Sequence, residues 1–422
     1  MYKSLQCLSS TQYRMSSSNC PVGLPGLAIS LGCALSLMAS SAMAVLPLSP
    51  EVANPASSSG PTTSAVPGAR ADSSAGQQPA GVPIGVVVGL VLPLSGPHGM
   101  LGNRVAQAIE QVLGAAGVVV RRYDDRGEPG SVSEAVVRAV TDRCVAILGG
   151  LGDDEARMVA DAAASREIPL LSLGAAQDGR ARKGVTWART RRGDVIATLA
   201  RRLAGAEKVT TAYILAPSTR FGLAAVDAFK SSFEASGGRI AVVRLLGPDD
   251  TQPAAVVKTF AAQVAQVRAA SACEREVIFL PMDADASRRW MGFMEAEGVI
   301  GTPQDPKCPR TIVAGTAQLS EPSALAINGA ALEGIRFADV LLSGAADGVS
   351  VLEAEAADAA RLLVGALRSK AQPGREDVRR ALDAGVKVNG HTGVLASSRG
   401  QLTGRTIVTF TIRAGRPMPD ED

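Results

Sequence analysis

The chain has 422 residues, 46% of them hydrophobic but only 3% aromatic, so its core must come from Ala, Val, Leu and Ile. The formal charge is +3; without Lys3 and Arg14, 41 basic residues face 40 acidic ones from residue 45 onward, a net +1. Basic and acidic residues are mixed throughout, which excludes a nucleic-acid footprint, and the length allows about two to three domains of roughly 150 residues.

Residues 1–20 carry two positive charges and no negative one. Pro21–Met38 is largely apolar and uncharged, and Ala42-Met43-Ala44 has the small-x-small form of a cleavage site. This is the pattern of a secretory signal peptide cut after Ala44, which predicts export to the periplasm or cell envelope. A retained membrane anchor is the competing reading, although glycines and prolines interrupt the apolar run. A lipid anchor would use Cys33, but in Ser30-Leu31-Gly32-Cys33 the leucine stands one place too late. Val45–Pro83 holds seven prolines among Ser, Ala and Gly, the composition of a disordered linker.

From Gly85 the chain alternates short β-rich runs with helical patterns. The spacing predicts strands at Gly85–Leu92, Gly117–Tyr123, Cys144–Leu148, Ile168–Leu173, Lys208–Leu215, Arg239–Leu246, Glu276–Leu280, Arg310–Ala314 and Gly334–Val340. Helical periodicity lies between them at Met100–Leu113, Ser131–Thr141, Asp154–Arg166, Asp194–Ala204, Phe221–Ser236, Pro253–Ala270 and Asp285–Glu297. Two further helices, Val349–Ser369 and Arg375–Ala384, break this rhythm. Two strands, His391–Ser397 and Arg405–Ile412, close the chain around a glycine-rich turn over 398–404, and 417–422 forms an acidic tail. Such alternation predicts an α/β protein with two doubly wound, Rossmann-like lobes and a cleft between them.

Cys7, Cys20 and Cys33 precede residue 45, leaving Cys144, Cys273 and Cys308. An odd count permits at most one bridge. Cys273 and Cys308 each stand four residues before the heart of a strand, and the two strands are consecutive, so a Cys273–Cys308 disulfide is expected. Cys144 opens a buried strand and reads as an inert core thiol. The sequence contains no phosphate loop, no Gly-x-Ser-x-Gly elbow, and no Cys or His pair at metal spacing. His98 and His391 are its only histidines. We therefore expect no metal, no cofactor and no catalysis. The basic cluster Arg189, Arg191, Arg192, Arg201 and Arg202 reads as a solvated helix start and face, with a partner or anionic ligand as the alternative.

The body from Gly85 to about Arg416 resembles the type I periplasmic solute-binding proteins, in the leucine/isoleucine/valine-binding branch. The residues that carry the resemblance begin with Val88-Gly89-Leu90-Val91-Leu92-Pro93-Leu94-Ser95-Gly96-Pro97. Tyr123-Asp124-Asp125 with Pro129, Ile147-Leu148-Gly149-Gly150 and Ile168-Pro169-Leu170-Leu171-Ser172 follow in order. Thr219-Arg220-Phe221-Gly222, Gly393-Val394-Leu395 and Gly400-Gln401-Leu402-Thr403-Gly404 complete the set. The resemblance implies two lobes joined by three crossovers, here near 190–194, 337–341 and 389–393. One lobe would hold 85–191 and 340–390, the other 192–339 and 391–416. It also implies a small solute, an amino acid or amide, trapped at the hinge and handed to the membrane permease of an ABC transporter.

By the same resemblance the solute would lie among Ser95, Leu101, Asp153, Asp154, Glu155, Ala175, Ala176, Phe221, Asp283 and Thr316. Several of these depart from the family pattern. Asp153, Asp154 and Glu155 stand where helix amides would receive a ligand carboxylate, and a like charge about 4 Å away is repelled by roughly 4 kcal/mol at an effective dielectric near 20. Asp153 or Asp154 capping the helix that follows is the simpler role, and a cationic solute the functional one. Ala176 replaces a hydroxyl residue, Leu101 an aromatic one, and Phe221 keeps an aromatic ring without its hydroxyl. Thr316 lies in the region where the family places an acid against the ligand ammonium. Leu92–Pro97 also resembles the solute-binding-like domain of penicillin-binding-protein activators. That alternative predicts a ligand-free envelope scaffold partnered by a peptidoglycan synthase.

Overall fold

The computed structural model describes residues 85–175, 181–270, 273–301, 308–343 and 348–420. The expected signal peptide and linker, and Ala176, lie outside the described residues. The apolar run becomes strand β1 (Val87–Leu92), almost wholly buried because helices cover both faces of its sheet. Pro93 cannot extend a ladder, and the chain turns into helix α1 (Gly99–Ala115). Then come β2 (Val119–Asp124), α2 (Pro129–Thr141), β3 (Ala146–Gly149), α3 (Asp153–Ser165), β4 (Leu170–Ser172) and β5 (Val185–Trp187).

A second lobe opens with α4 (Arg192–Arg201). It continues through β6 (Thr211–Pro217), α5 (Arg220–Ala235), β7 (Arg239–Leu246), α6 (Pro253–Ala270), β8 (Glu276–Phe279), α7 (Ala284–Ala296), β9 (Ile312–Ala314), α8 (Pro322–Asn328) and β10 (Arg336–Val340). The chain returns to the first lobe as α9 (Val351–Leu367), α10 (Arg375–Ala384), β11 (Lys387–Gly390), β12 (Gly393–Ser398) and β13 (Gln401–Arg405). It crosses a last time to add β14 (Ile407–Arg413) and β15 (Arg416–Pro419) to the second sheet.

The first sheet has the order β11-β12-β13-β5-β4-β3-β1-β2, the second β15-β14-β10-β9-β8-β6-β7. Each is parallel at its centre, and antiparallel strands finish one edge. α1 and α9 cover one face of the first sheet, α2 and α3 the other. The second sheet lies between α4 with α5 and α6 with α7. In both sheets the order reverses beside the first strand, between β1 and β3 and between β6 and β8. Those two switch points are where open α/β sheets hold ligands, outside the carboxyl ends of the strands.

The end of the chain departs from expectation. The third crossing is at Thr406, not 389–393, because β12 and β13 pair within the first sheet. Residues 391–405 therefore belong to the first lobe. The expected seven-residue turn is only Arg399-Gly400, both at positive φ (48° and 76°), the two-residue turn that suits strand twist. Gln401–Arg405 is a strand of mostly exposed residues with no apolar alternation, so its period was silent. The acidic tail is not free either. Its first residues form β15, and Asp420 accepts a hydrogen bond from Thr411 Oγ1 at 2.6 Å.

Cys273 and Cys308 are joined, their Cα atoms 4.7 Å apart, and Cys144 is a buried free thiol. Among the described residues no helix is long and apolar enough to cross a membrane, and no group of three or more His, Cys, Asp or Glu could hold a metal.

Candidate functional site: the cleft between the lobes

The loop after β1 is ordered by Asp124 at the end of the neighbouring β2. Its carboxylate accepts the Leu94 amide at 2.9 Å and the Ser95 hydroxyl at 2.5 Å. Burial opposes the charge on Asp124, yet the Ser95 hydroxyl and the amides of Arg126, Leu94 and Ser95 hold its carboxyl below the ordinary range. Ser95 is thus engaged within its own lobe. Leu101 turns inward and packs against the first-lobe core.

The acids of α3 do something other than cap. The N-cap is Gly152, which provides no side-chain bond, and Asp153, Asp154 and Glu155 form the first helical turn. The expected capping by Asp153 or Asp154 is therefore replaced by ion pairs that leave the lobe. Arg192, the first residue of α4, donates to both Asp153 oxygens, from Nη1 at 2.7 Å and Nη2 at 3.1 Å. The same guanidinium lies 4.8 Å from the centre of the Phe221 ring. Arg220 reaches Asp154, which also pairs with Arg157; these partners, Arg157 foremost, hold the Asp154 carboxyl below its usual range. The Arg192 amide donates to the Ala175 carbonyl at 3.2 Å, so the first crossover brings Ala175, Asp153, Arg192 and Phe221 together.

The remaining expected residues are placed less directly. Glu155 lies beside Gly127 and His98 at the first-lobe rim. Asp283 caps α7 through the Ala286 amide at 2.8 Å, which accounts for its carboxylate locally. Thr316 is buried after β9 and its Oγ1 has no hydrogen-bond partner. Two cavities of about 210 and 280 Å³ lie at the opposite, amino-terminal ends of β4 and β5, where Lys183 pairs with Glu167 and Arg379 with Glu376 and Asp383.

Behind the cleft, α9 gathers the crossovers. Glu355 is buried and accepts from Arg189 Nε at 3.0 Å, from the Thr190 amide at 2.9 Å and from the Thr190 hydroxyl at 2.7 Å; Arg405 approaches it at 3.3 Å. Burial disfavours its charge, but Arg405 and Arg189 outweigh that and hold its carboxyl low. One turn further on, Asp358 accepts from the amides of His391 and Thr392 at 2.8 and 2.9 Å. The Leu341 amide donates to the Thr406 carbonyl at 2.9 Å, tying the second crossing to the third. Sequence reasoning reads Arg192 within a solvated basic cluster, with a partner or an anionic ligand as the alternative, and does not single out Glu355, Asp358 or Arg405. Three acids, Glu353, Glu355 and Asp358, inside the Ala- and Leu-rich Val349–Ser369 pattern were the available signal.

A family model described as periplasmic binding protein matches residues 85–340. No curated protein matches the sequence. A leucine-binding protein from Thermotoga maritima is similar in fold, with a TM-score of 0.61 at 16% identity over 80% of this chain and 98% of that one. A solute-binding protein of an ABC transporter from Rhodopseudomonas palustris, solved with 4-hydroxybenzoate, gives 0.62 at 18% identity, covering 80% and 96%. An ABC transporter substrate-binding protein from Sphaerobacter thermophilus gives 0.62 at 18%, covering 77% and 93%.

Proposed function

Since the chain belongs to the periplasmic binding protein family, we propose that it is the solute-binding protein of an ABC-type transporter and traps a small amino acid or amide-like solute between its lobes. The observation that carries this reading is the convergence of Asp153, Ala175, Arg192 and Phe221, drawn from both lobes, at the carboxyl ends of the strands. The crossovers beside that cluster supply the hinge about which the lobes would close. Delivery to a membrane permease and export by the leader, with cleavage after Ala44, complete the proposal. These family relations favour transport over the envelope-scaffold alternative.

The test is a thermal-shift screen of the exported protein against amino acids, small amides, polyamines and hydroxybenzoates. A solute at about one hundred times its Kd stabilises the folded state by about 2.7 kcal/mol, so at least one should raise the melting temperature by several degrees. A screen in which nothing shifts it contradicts the proposal.

A further inference from the structure

Around the first crossover the two walls of the cleft carry opposite charge, in the opposite sense to the one the family resemblance implies, whereas at the front of the cleft Arg104 of the first lobe faces Glu321 of the second. The first-lobe wall presents Asp153 and Asp154; the second-lobe wall presents Arg192 and Arg220 beside Phe221. On the second lobe, Asp283 is engaged as a helix cap, and Thr316 is buried with its Oγ1 unpartnered. The Asp153–Arg192 pair crosses the cleft with side chains 22% and 27% exposed, sheltered enough that leaving either ion alone is costly.

From this we infer that the cleft selects a zwitterionic solute held in reversed orientation, its cationic group on Asp153 of the first lobe and its carboxylate on Arg192 of the second. This rests on the solute-binding reading above. A solute carrying both charges inserts into the Asp153–Arg192 pair and satisfies each half. An amine alone takes Asp153 and orphans Arg192; a carboxylate alone takes Arg192 and orphans Asp153. The Phe221 ring, already against a guanidinium, supplies an apolar and cation-tolerant floor beside the carboxylate anchor. Arg192 and Asp153 are then the residues that set specificity.

Calorimetric titration of three probes with one carbon skeleton tests this: leucine, leucinamide and 4-methylpentanoate. Wild type should bind leucine at least tenfold tighter than either monopolar probe. In Arg192→Gln the leucine-to-leucinamide preference should fall by tenfold or more, with 4-methylpentanoate binding lost. In Asp153→Asn the mirror pattern should appear, with leucinamide lost and 4-methylpentanoate gaining on leucine. Arg192→Lys and Asp153→Glu, which keep the charges, should restore the wild-type order if the neutral variants fold poorly. Exchange of the two patterns would place the carboxylate on the first lobe and overturn the orientation. Should the wider screen return only solutes that lack one of the two charges, the zwitterion inference fails and the solute-binding reading stands.

Discussion

Asp125 shows how a single residue near the cleft can set the pH response. It is buried; Oδ1 accepts the Gly127 amide at 3.0 Å, while Oδ2 has no partner. Burial first, then the neighbouring charges of Glu155 and Asp124, push its carboxyl from 3.8 up to about 6. The folded state therefore holds this proton more tightly than the unfolded chain. The resulting stabilisation is complete below the unfolded value near 4 and is lost as pH rises through about 6. Asp125→Asn keeps an oxygen for the Gly127 amide and removes the buried charge. It should raise stability at pH 8 by on the order of 2 kcal/mol and flatten the pH 4–6 slope. Urea unfolding at pH 4 and pH 8 reads both effects, and a variant no more stable than wild type at pH 8 contradicts the account. At this scale the sequence was only partly legible. Asp153 stood out as an acid where a carboxylate would dock, but its partner is 39 residues away and no local pattern links them. Ser95 lies in the expected loop, exposed but already bonded to an acid on the neighbouring strand.

At the scale of elements, each lobe repeats one device. β1 ends just before Pro93 and β6 at Pro217, and a glycine in the following helix packs against that proline's carbonyl oxygen. A Cβ at Gly102 or Gly222 would overlap the oxygen of Pro93 or Pro217. In α5 the arrangement is tightened by Thr219, whose Oγ1 accepts the Gly222 amide at 3.2 Å. Alanine ordinarily favours a helix over glycine by about 1 kcal/mol, but here overlap with backbone should reverse the sign. Gly222→Ala is expected to destabilise by about 2 kcal/mol or more, whereas Gly114→Ala, with open space around it, should be neutral or stabilising. Equal effects at the two sites in chemical denaturation would refute the close-approach argument. Strands such as β1 and β6 were legible because burial on both faces writes a continuous apolar run. β5, three residues long, and the exposed β13 carry no such run, so their membership of the first sheet emerged only from pairing.

For the whole molecule, the question is how two separate cores act as one. Their connection runs through α9, where buried Glu355 bonds to the first crossover and faces Arg405 from the third. Removing one partner from such a cluster leaves the others charged and buried, so Glu355→Gln should lower global stability by about 3 kcal/mol. A loss under about 1 kcal/mol in denaturant unfolding would show that the crossovers hold without it. At the front of the cleft, Arg104 on α1 reaches Glu321 of the second lobe at 2.8 Å, adding to the Asp153–Arg192 pair. Two ion pairs therefore tie the lobes together across the cleft. The most direct test is the distance between spin labels at Met100→Cys on α1 and Ile327→Cys on α8, positions 82% and 83% exposed on opposite lobes. Measured by pulsed electron resonance with and without the solute that shifts melting most, the distribution should collapse to one narrow distance when the solute is present. A distribution that no solute changes would contradict a cleft that traps its ligand by closing.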